Sequence, residues 1–480
     1  MRRLRLAHAE VEQSHVHTRD MRPATSMSHF PKRCFAWLSV LSLCIAGSLA
    51  ARTVSAQHDT KRHVILISID GMTAIDYLHP DGGLKIPNLQ ALEAKGCRAD
   101  GMTGIFTTVT YPSHTAMITG EPSSVHGIYT NTPLDPFGYE NGGWYYYADK
   151  IRSPTLWQVL READLKTAAV SWPVTVGAGI DYLLPEYRPV RTPEDVSLMS
   201  ALSTPGLFRE MINVDSTDHP MTDAWRTKAS VRILDEHQPD LLALHLSDLD
   251  AAQHRYGPHT PEAHAALEKI DAEIGEIHSA VAASGRAAGT AWVVVSDHGF
   301  LRDSLLVNPM VALRDAGLIK TNPAGKLVDW KVFINNEGGS AFLEARNPND
   351  TASIAKATEI MRKLAADPAN GIAKIDAPED LKAMHSNPTA FLALEAARGF
   401  AIGSELEGPI VTPSTTLGKH GYNPDIPELR PAMILSGAGV YPCQLREGVR
   451  IVDVGPTVAA LLGVSMHGVA GRNVNTPTSH

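Results

Sequence analysis

Cysteine is scarce in this chain, with four in 480 residues. That is too few for a disulfide scaffold, and the spacing offers no thiolate metal site. Cys34 and Cys44 fall in an N-terminal segment that reads as removable, which leaves Cys97 and Cys443 for one bridge at most. Positive charge is also short, the formal net charge being -9. An acidic body argues against a nucleic-acid duplex or an anionic membrane as partner. It does not argue against a small phosphate substrate, because bound cations would set the local field. After residue 50 no stretch approaches 18 uninterrupted apolar residues, so no membrane span is expected in the mature chain. There is no Gly-rich phosphate loop, no Ser/His/Asp elbow, no internal repeat and no low-complexity tract. A hydroxyl nucleophile in such a chain needs activation from metal.

With 44% hydrophobic and 20% charged residues, the composition is that of a globular protein able to bury one large core or two smaller ones. The first 56 residues differ from the rest, with eight Arg/Lys against three Asp/Glu. Lys32 and Arg33 precede an apolar run over 35–50, and Val54-Ser55-Ala56 resembles a small-x-small cleavage site. Residues 1–56 are therefore expected to be a signal peptide, over-long if translation starts at Met21 or Met27, and the protein to be exported, periplasmic or secreted.

Beyond it, short β-rich apolar runs alternate with helical patterns, the mark of an α/β fold with a mostly parallel sheet flanked by helices. Strands are expected over 64–69, 167–171, 241–246, 292–296 and 432–435, and helices over 87–95, 155–163 and 261–283. Residues 307–403 break the series with turns at Asn322-Pro323, Asn347-Pro348 and Asn387-Pro388. They are expected to form a smaller inserted cap, with 57–306 and 404–480 making the main domain.

In such sheets ligands bind beyond the carboxyl ends of the strands, and several acidic and imidazole side chains fall there. Asp70-Gly71 follows the first strand, and Asp297-His298-Gly299 follows the run Val293-Val294-Val295. Asp250 and His254 lie four apart, on one face if the segment is helical. His420-Gly421 comes after the insert. Taken singly, each has an ordinary alternative: a helix cap or Asp-Gly turn, an exposed i,i+4 pair, a structural histidine. Together, six carboxylate and imidazole groups suit two Zn²⁺-like ions, since borderline divalent metals take His nitrogen and Asp oxygen together. Thr107, Thr108 and Thr110 offer hydroxyls for a nucleophile. Asn131 offers an amide donor for charge developing on a phosphate oxygen.

The segment Thr110-Tyr111-Pro112-Ser113-His114, followed by Thr119-Gly120, Pro122, His126-Gly127 and Asn131, resembles the nucleophile motif of the nucleotide pyrophosphatase/phosphodiesterase family of the alkaline phosphatase superfamily. The likeness spans residues 63–472, and Asp453-Val454-Gly455-Pro456-Thr457 with Leu461-Leu462-Gly463 resembles the family's C-terminal helix region. The family usually has Phe where Tyr111 stands and Asn where Ser113 stands. The resemblance implies an alkaline-phosphatase-like fold and selects Thr110 as nucleophile. It assigns Asp250, His254 and His420 to one zinc, and Asp70, Thr110, Asp297 and His298 to the other. His114 and His126 match motif positions that do not bind metal.

The implied reaction is in-line hydrolysis of a nucleotide-type phosphodiester or phosphoanhydride through a phospho-threonine. Monoesterases of the superfamily carry a Lys-x-Arg pair where this chain has Trp172-Pro173-Val174, which favours a diester or pyrophosphate. Tyr111, Trp172 and Tyr187 are candidates for an aromatic slot that stacks a base, with core packing as the alternative for Trp172 and Tyr187. The competing functions are a phosphate-monoester or phosphonate hydrolase on the same scaffold, or a non-catalytic secreted binding protein.

Overall fold

Apolar strands too buried to alternate form the spine of the protein. The computed structural model describes residues 62–80, 83–139, 143–214 and 221–477, the side chains of 213 and 214 excepted. Its main sheet has eight strands, β1 (His63–Ile69), β2 (Cys97–Ala99), β3 (Thr167–Val170), β4 (Tyr182–Leu184), β5 (Leu241–Leu246), β6 (Thr290–Val295), β7 (Met433–Gly437) and β8 (Cys443–Leu445). They are ordered β8-β2-β7-β6-β1-β5-β3-β4. β7 is antiparallel to both neighbours, and the other pairings are parallel.

The helices that pack on this sheet or bear on the site are α1 (Pro87–Ala94), α2 (Thr110–Thr119), α3 (Leu156–Glu162), α4 (Asp223–His237), α5 (Asp248–Tyr256), α6 (Pro261–Ala283) and α7 (Val454–Leu461). Alternate residues of β1 explain their placement. Ile65, Ile67 and Ile69 point into a layer with α1, α4 and α6, while Val64 and Leu66 pack on the opposite face with α2, α3 and α7. Both faces are thus covered, so the central strands are apolar throughout. Truncating Ile67, fully buried in β1, to Ala should cost about 2–5 kcal/mol. α6 starts where Thr260 accepts from Ala263 N–H with Pro261 in the first turn, and it buries Leu267, Ile270, Ile274, Ile277 and Val281 at helical spacing.

β2, β4 and β8 are three residues each, too short to show a period in sequence, and are absent from the expectation. β2 and β8 pair through Cys97 and Cys443, which form a disulfide.

A second sheet, antiparallel, takes residues Val332–Asn336, Ser340–Ala345, Leu392–Ala396 and Ile372–Asp376 in that order. The helix Thr351–Ala365 lies with it over a separate apolar cluster that includes Ile334, Leu343, Met361 and Leu394. Asp303–Val307 pairs with both Gly399–Ile402 and Val411–Pro413, closing the base of this part of the chain. Among the described residues no helix is long and apolar enough to cross a membrane. The expected signal, 1–56, with Cys34 and Cys44, lies outside them.

Candidate active site

The carboxyl ends of β1, β5 and β6 deliver the candidate acidic ligands to one place. Asp70 follows β1, where its N–H donates to Leu246 O at 2.9 Å. Gly71 turns the chain at φ +76°, and a Cβ there would meet Gln253 Nε2 and Phe300 Cε2, each at 2.8 Å. Gly71 N–H and His298 N–H both donate to Asp297 Oδ1, at 3.1 and 3.0 Å. α5 is helical, so Asp250 and His254 do share a face. His420 lies in the loop after Val411–Pro413.

Two groups result. Asp70, Asp297 and His298 each offer an atom within 4.8 Å of the others, and so do Asp250, His254 and His420. In each imidazole, Nδ1 faces a backbone carbonyl: Gly418 O at 3.0 Å from His254, Gly299 O at 3.3 Å from His298 and Thr108 O at 3.0 Å from His420. A carbonyl only accepts, so Nδ1 carries the proton and Nε2 presents a lone pair. Those lone pairs face acceptors. His298 Nε2 is 3.3 Å from Asp70 Oδ1 and 3.3 Å from Asp297 Oδ2, and His254 Nε2 is 3.4 Å from Asp250 Oδ1. All three carboxylate oxygens are buried without a hydrogen-bond donor. Lone pairs converging in a dry site repel unless a cation lies among them, and mixed nitrogen and oxygen donors suit zinc. The residues present therefore fit a divalent metal in each group.

Electrostatics agrees with ligand chemistry. Burial, with His298 and His254 close by, holds His420 well below the usual imidazole range, and burial likewise lowers His298. Burial opposes ionisation of Asp297, but the charge on His245 and the N–H bond from Gly71 help hold its carboxyl below the ordinary carboxylate value.

Thr110 opens α2, its Oγ1 3.4 Å from His298 Nε2. Thr108 Oγ1 instead donates to Tyr422 O at 2.9 Å. Asn131 Oδ1 accepts Tyr111 N–H at 2.8 Å, leaving its NH₂ as the donor toward a cleft of about 240 Å³. That cleft is also lined by Trp144, His254, Glu337, Lys419 and His420.

The aromatic slot needs correction. Trp172 is 0% exposed, its ring edge-on to His114 at 5.0 Å and to Trp157 at 6.2 Å. It is core and offers no face to a base. Tyr111 is also buried, covered by Trp144 at 5.0 Å and Tyr146 at 6.2 Å. Tyr187 remains half-buried, packed on Tyr146 at 4.5 Å. Trp144, 39% exposed on the cleft, is the aromatic that sequence reasoning missed.

Two polar residues behind the site were missed as well. His245, inside the apolar run of β5, places Nε2 3.0 Å from Asp70 Oδ2 and Nδ1 2.9 Å from Glu186 Oε2. Burial opposes its charge, but Asp70 and Glu186 win and push it up to about 10. The available signal was an imidazole in an otherwise apolar strand. His114, whose nitrogens face Thr110 O and Ser68 Oγ at 2.8 Å each, and the buried His126 enter neither ligand group.

Known proteins resemble the chain in sequence and in fold. Bovine (Bos taurus) bis(5'-adenosyl)-triphosphatase ENPP4 is 24% identical over 439 residues, which span 89% of this chain and 84% of that protein. Human (Homo sapiens) ectonucleotide pyrophosphatase/phosphodiesterase family member 1 is 26% identical over 309 residues, 59% of this chain but 29% of its own length. Among solved structures, human ectonucleotide pyrophosphatase/phosphodiesterase 5 superposes with a TM-score of 0.63 at 18% identity, covering 86% of this chain and 98% of that one. An inactive variant of the murine protein in complex with AMP gives 0.64, also at 18% identity with the same coverage. The shared fold is the alkaline-phosphatase-like α/β one, a mostly parallel sheet flanked by helices. The family described as type I phosphodiesterase / nucleotide pyrophosphatase matches residues 64–423. The chain belongs to that family of metal-dependent hydrolases.

Proposed function

We propose that the protein is an exported two-zinc phosphodiesterase/pyrophosphatase that cleaves nucleotide-type phosphodiester or phosphoanhydride bonds through a phospho-threonine at Thr110. The observation that carries this reading is the pair of ligand groups, each with Nδ1-anchored imidazoles and unpaired buried carboxylate oxygens, beside one hydroxyl at a helix start. Zinc ions bound there would supply Lewis-acid stabilisation of phosphoryl charge and ease deprotonation of a hydroxyl or water.

Asp70, Asp297 and His298 would hold one ion, and Asp250, His254 and His420 the other. Thr110 Oγ1 attacks phosphorus in line as the bond to the leaving oxygen breaks, and water then hydrolyses the phospho-threonine. The Thr110 N–H and the Asn131 NH₂ meet the negative charge that builds on the non-bridging oxygens, since Tyr111 N–H and Ser113 N–H are already bonded and Pro112 has none. Among the described residues Lys419 is the one Lys or Arg lining the cleft, and Trp172-Pro173-Val174 is buried and uncharged, which supports a singly charged diester over a monoester.

A nucleotide substrate is supported by the bovine relative's name and by the AMP bound to the murine neighbour. Export, to the periplasm or outside the cell, is supported by the Cys97–Cys443 bridge, since disulfides persist in oxidising compartments. We assign 307–403 as the inserted cap, carried on a catalytic domain of 57–306 and 404–480.

The test compares bis-p-nitrophenyl phosphate with p-nitrophenyl phosphate, for wild type and Thr110→Ala, alongside metal analysis. Diester preference, two zinc per chain and loss of at least on the order of 10³-fold in Thr110→Ala are expected. Monoester preference or unchanged turnover in the variant would overturn the reading.

A further inference from the structure

Behind Asp70 lies a line of hydrogen bonds that reaches the residue next to the nucleophile. Tyr111 OH donates to Glu186 Oε1 at 3.0 Å, Glu186 Oε2 is 2.9 Å from His245 Nδ1, and His245 Nε2 is 3.0 Å from Asp70 Oδ2. Nδ1 also faces Ser171 O at 3.1 Å. Each ring nitrogen of His245 thus faces a carboxylate oxygen, and the ring bridges Glu186 to Asp70. Asp70 Oδ2 is thereby held, and Oδ1 is left unpaired toward Asp297 and His298. The contacts of Asp250 are different, made with the imidazoles of its own group.

We propose that Tyr111, Glu186 and His245 are positioning residues that orient Asp70 and set how tightly the Asp70/Asp297/His298 group holds a divalent cation, without acting on the Asp250/His254/His420 group. The inference rests on the two-metal reading of the site. Its physical basis is rotamer restriction. A carboxylate pinned through one oxygen presents the other at a fixed place, and loss of such an outer partner typically weakens metal binding 10–100-fold.

The full chain, stripped of metal, is titrated with Zn²⁺ against a chromophoric chelator. Wild type should show two sites. Glu186→Gln should weaken one site by roughly 10–100-fold and leave the other within about twofold, and Tyr111→Phe should weaken the same site by less. In a His254→Ala background, which removes the second group, the single remaining site should show the same loss on adding Glu186→Gln. Equal weakening of both sites, or of neither, overturns the inference while the two-metal reading stands. A wild type that binds no Zn²⁺ overturns that reading itself. Urea midpoints report folding, and should Glu186→Gln fail to fold, Tyr111→Phe, which deletes one hydroxyl, decides the question by the same criterion.

Discussion

The rings of His298 and His420 lie face to face, with centroids 3.7 Å apart and planes 9° from parallel. One belongs to the Asp70 group and the other to the Asp250 group, so this stack is the direct contact between the two. Two stacked imidazolium rings would repel, and burial already disfavours charge on both. Both are therefore neutral, the state in which imidazole binds metal.

Removal of metal should destabilise the fold as well as abolish turnover. Asp70 Oδ1, Asp250 Oδ1 and Asp297 Oδ2 would then stay buried with no cation and no donor. Zinc at about a hundred times its dissociation constant contributes roughly 2.7 kcal/mol. Thermal unfolding with and without a chelator should show a lower midpoint that added Zn²⁺ restores, and an unmoved midpoint would count against metal at these groups.

Asn131→Asp separates positioning from charge stabilisation. The substitution keeps an oxygen to accept Tyr111 N–H and deletes the NH₂ that faces the cleft. A fall in kcat of roughly 10²–10³-fold is expected, by analogy with loss of an oxyanion donor. Steady-state kinetics showing a change in KM alone would move Asn131 to substrate binding.

Replacing Cys97 and Cys443 together by Ser should lower stability by about 2–5 kcal/mol. The bridge joins β2 to β8 at one edge of the sheet, away from β1, β5 and β6, which carry the ligands. Denaturant midpoints should fall while metal stoichiometry stays at the wild-type value.

Glu273 gives a pH signature outside the site. Burial, then Asp223 and Asp248, push its carboxyl up to about 7, and neither oxygen has a hydrogen-bond donor. The folded state thus binds its proton more tightly than the unfolded chain, where the value is 4.5. The contribution is fully present below pH 4.5 and is lost as pH rises through about 7. Glu273→Gln should therefore gain on wild type as pH rises from 5 to 8, read from urea midpoints at the two values. A gap that stays constant with pH would mean the group does not titrate there.

How much was legible depends on how far each residue acts from its own neighbourhood. Asp70 and Asp297-His298 are legible as candidates because each follows an apolar run, and Asp250 with His254 because a helix puts positions four apart on one face. His420 is weaker, since its place depends on the path of the chain over 307–419, far in sequence from the other groups. His245 and Glu186 were not legible, because what they do is defined by Asp70 and Tyr111, which are remote in sequence. The aromatic slot was misread for the same reason. Trp172 carries no local sign that α3 and His114 enclose it, and nothing near Trp144 in sequence tells that it lines the cleft.

The sequence by itself determined the long central strands, three of the helices that flank them and the candidate ligand types at the strand ends, because hydrophobic periodicity and chain order are local properties. Only the tertiary structure decided which carboxylate oxygens are left unpaired, which imidazole nitrogen faces them, and what holds Asp70 from behind. Those depend on side chains at the ends of β1, β5 and β6 and in the loop that carries His420 meeting within a few ångströms, and hydrogen-bond partnership in a dry site is set by that packing.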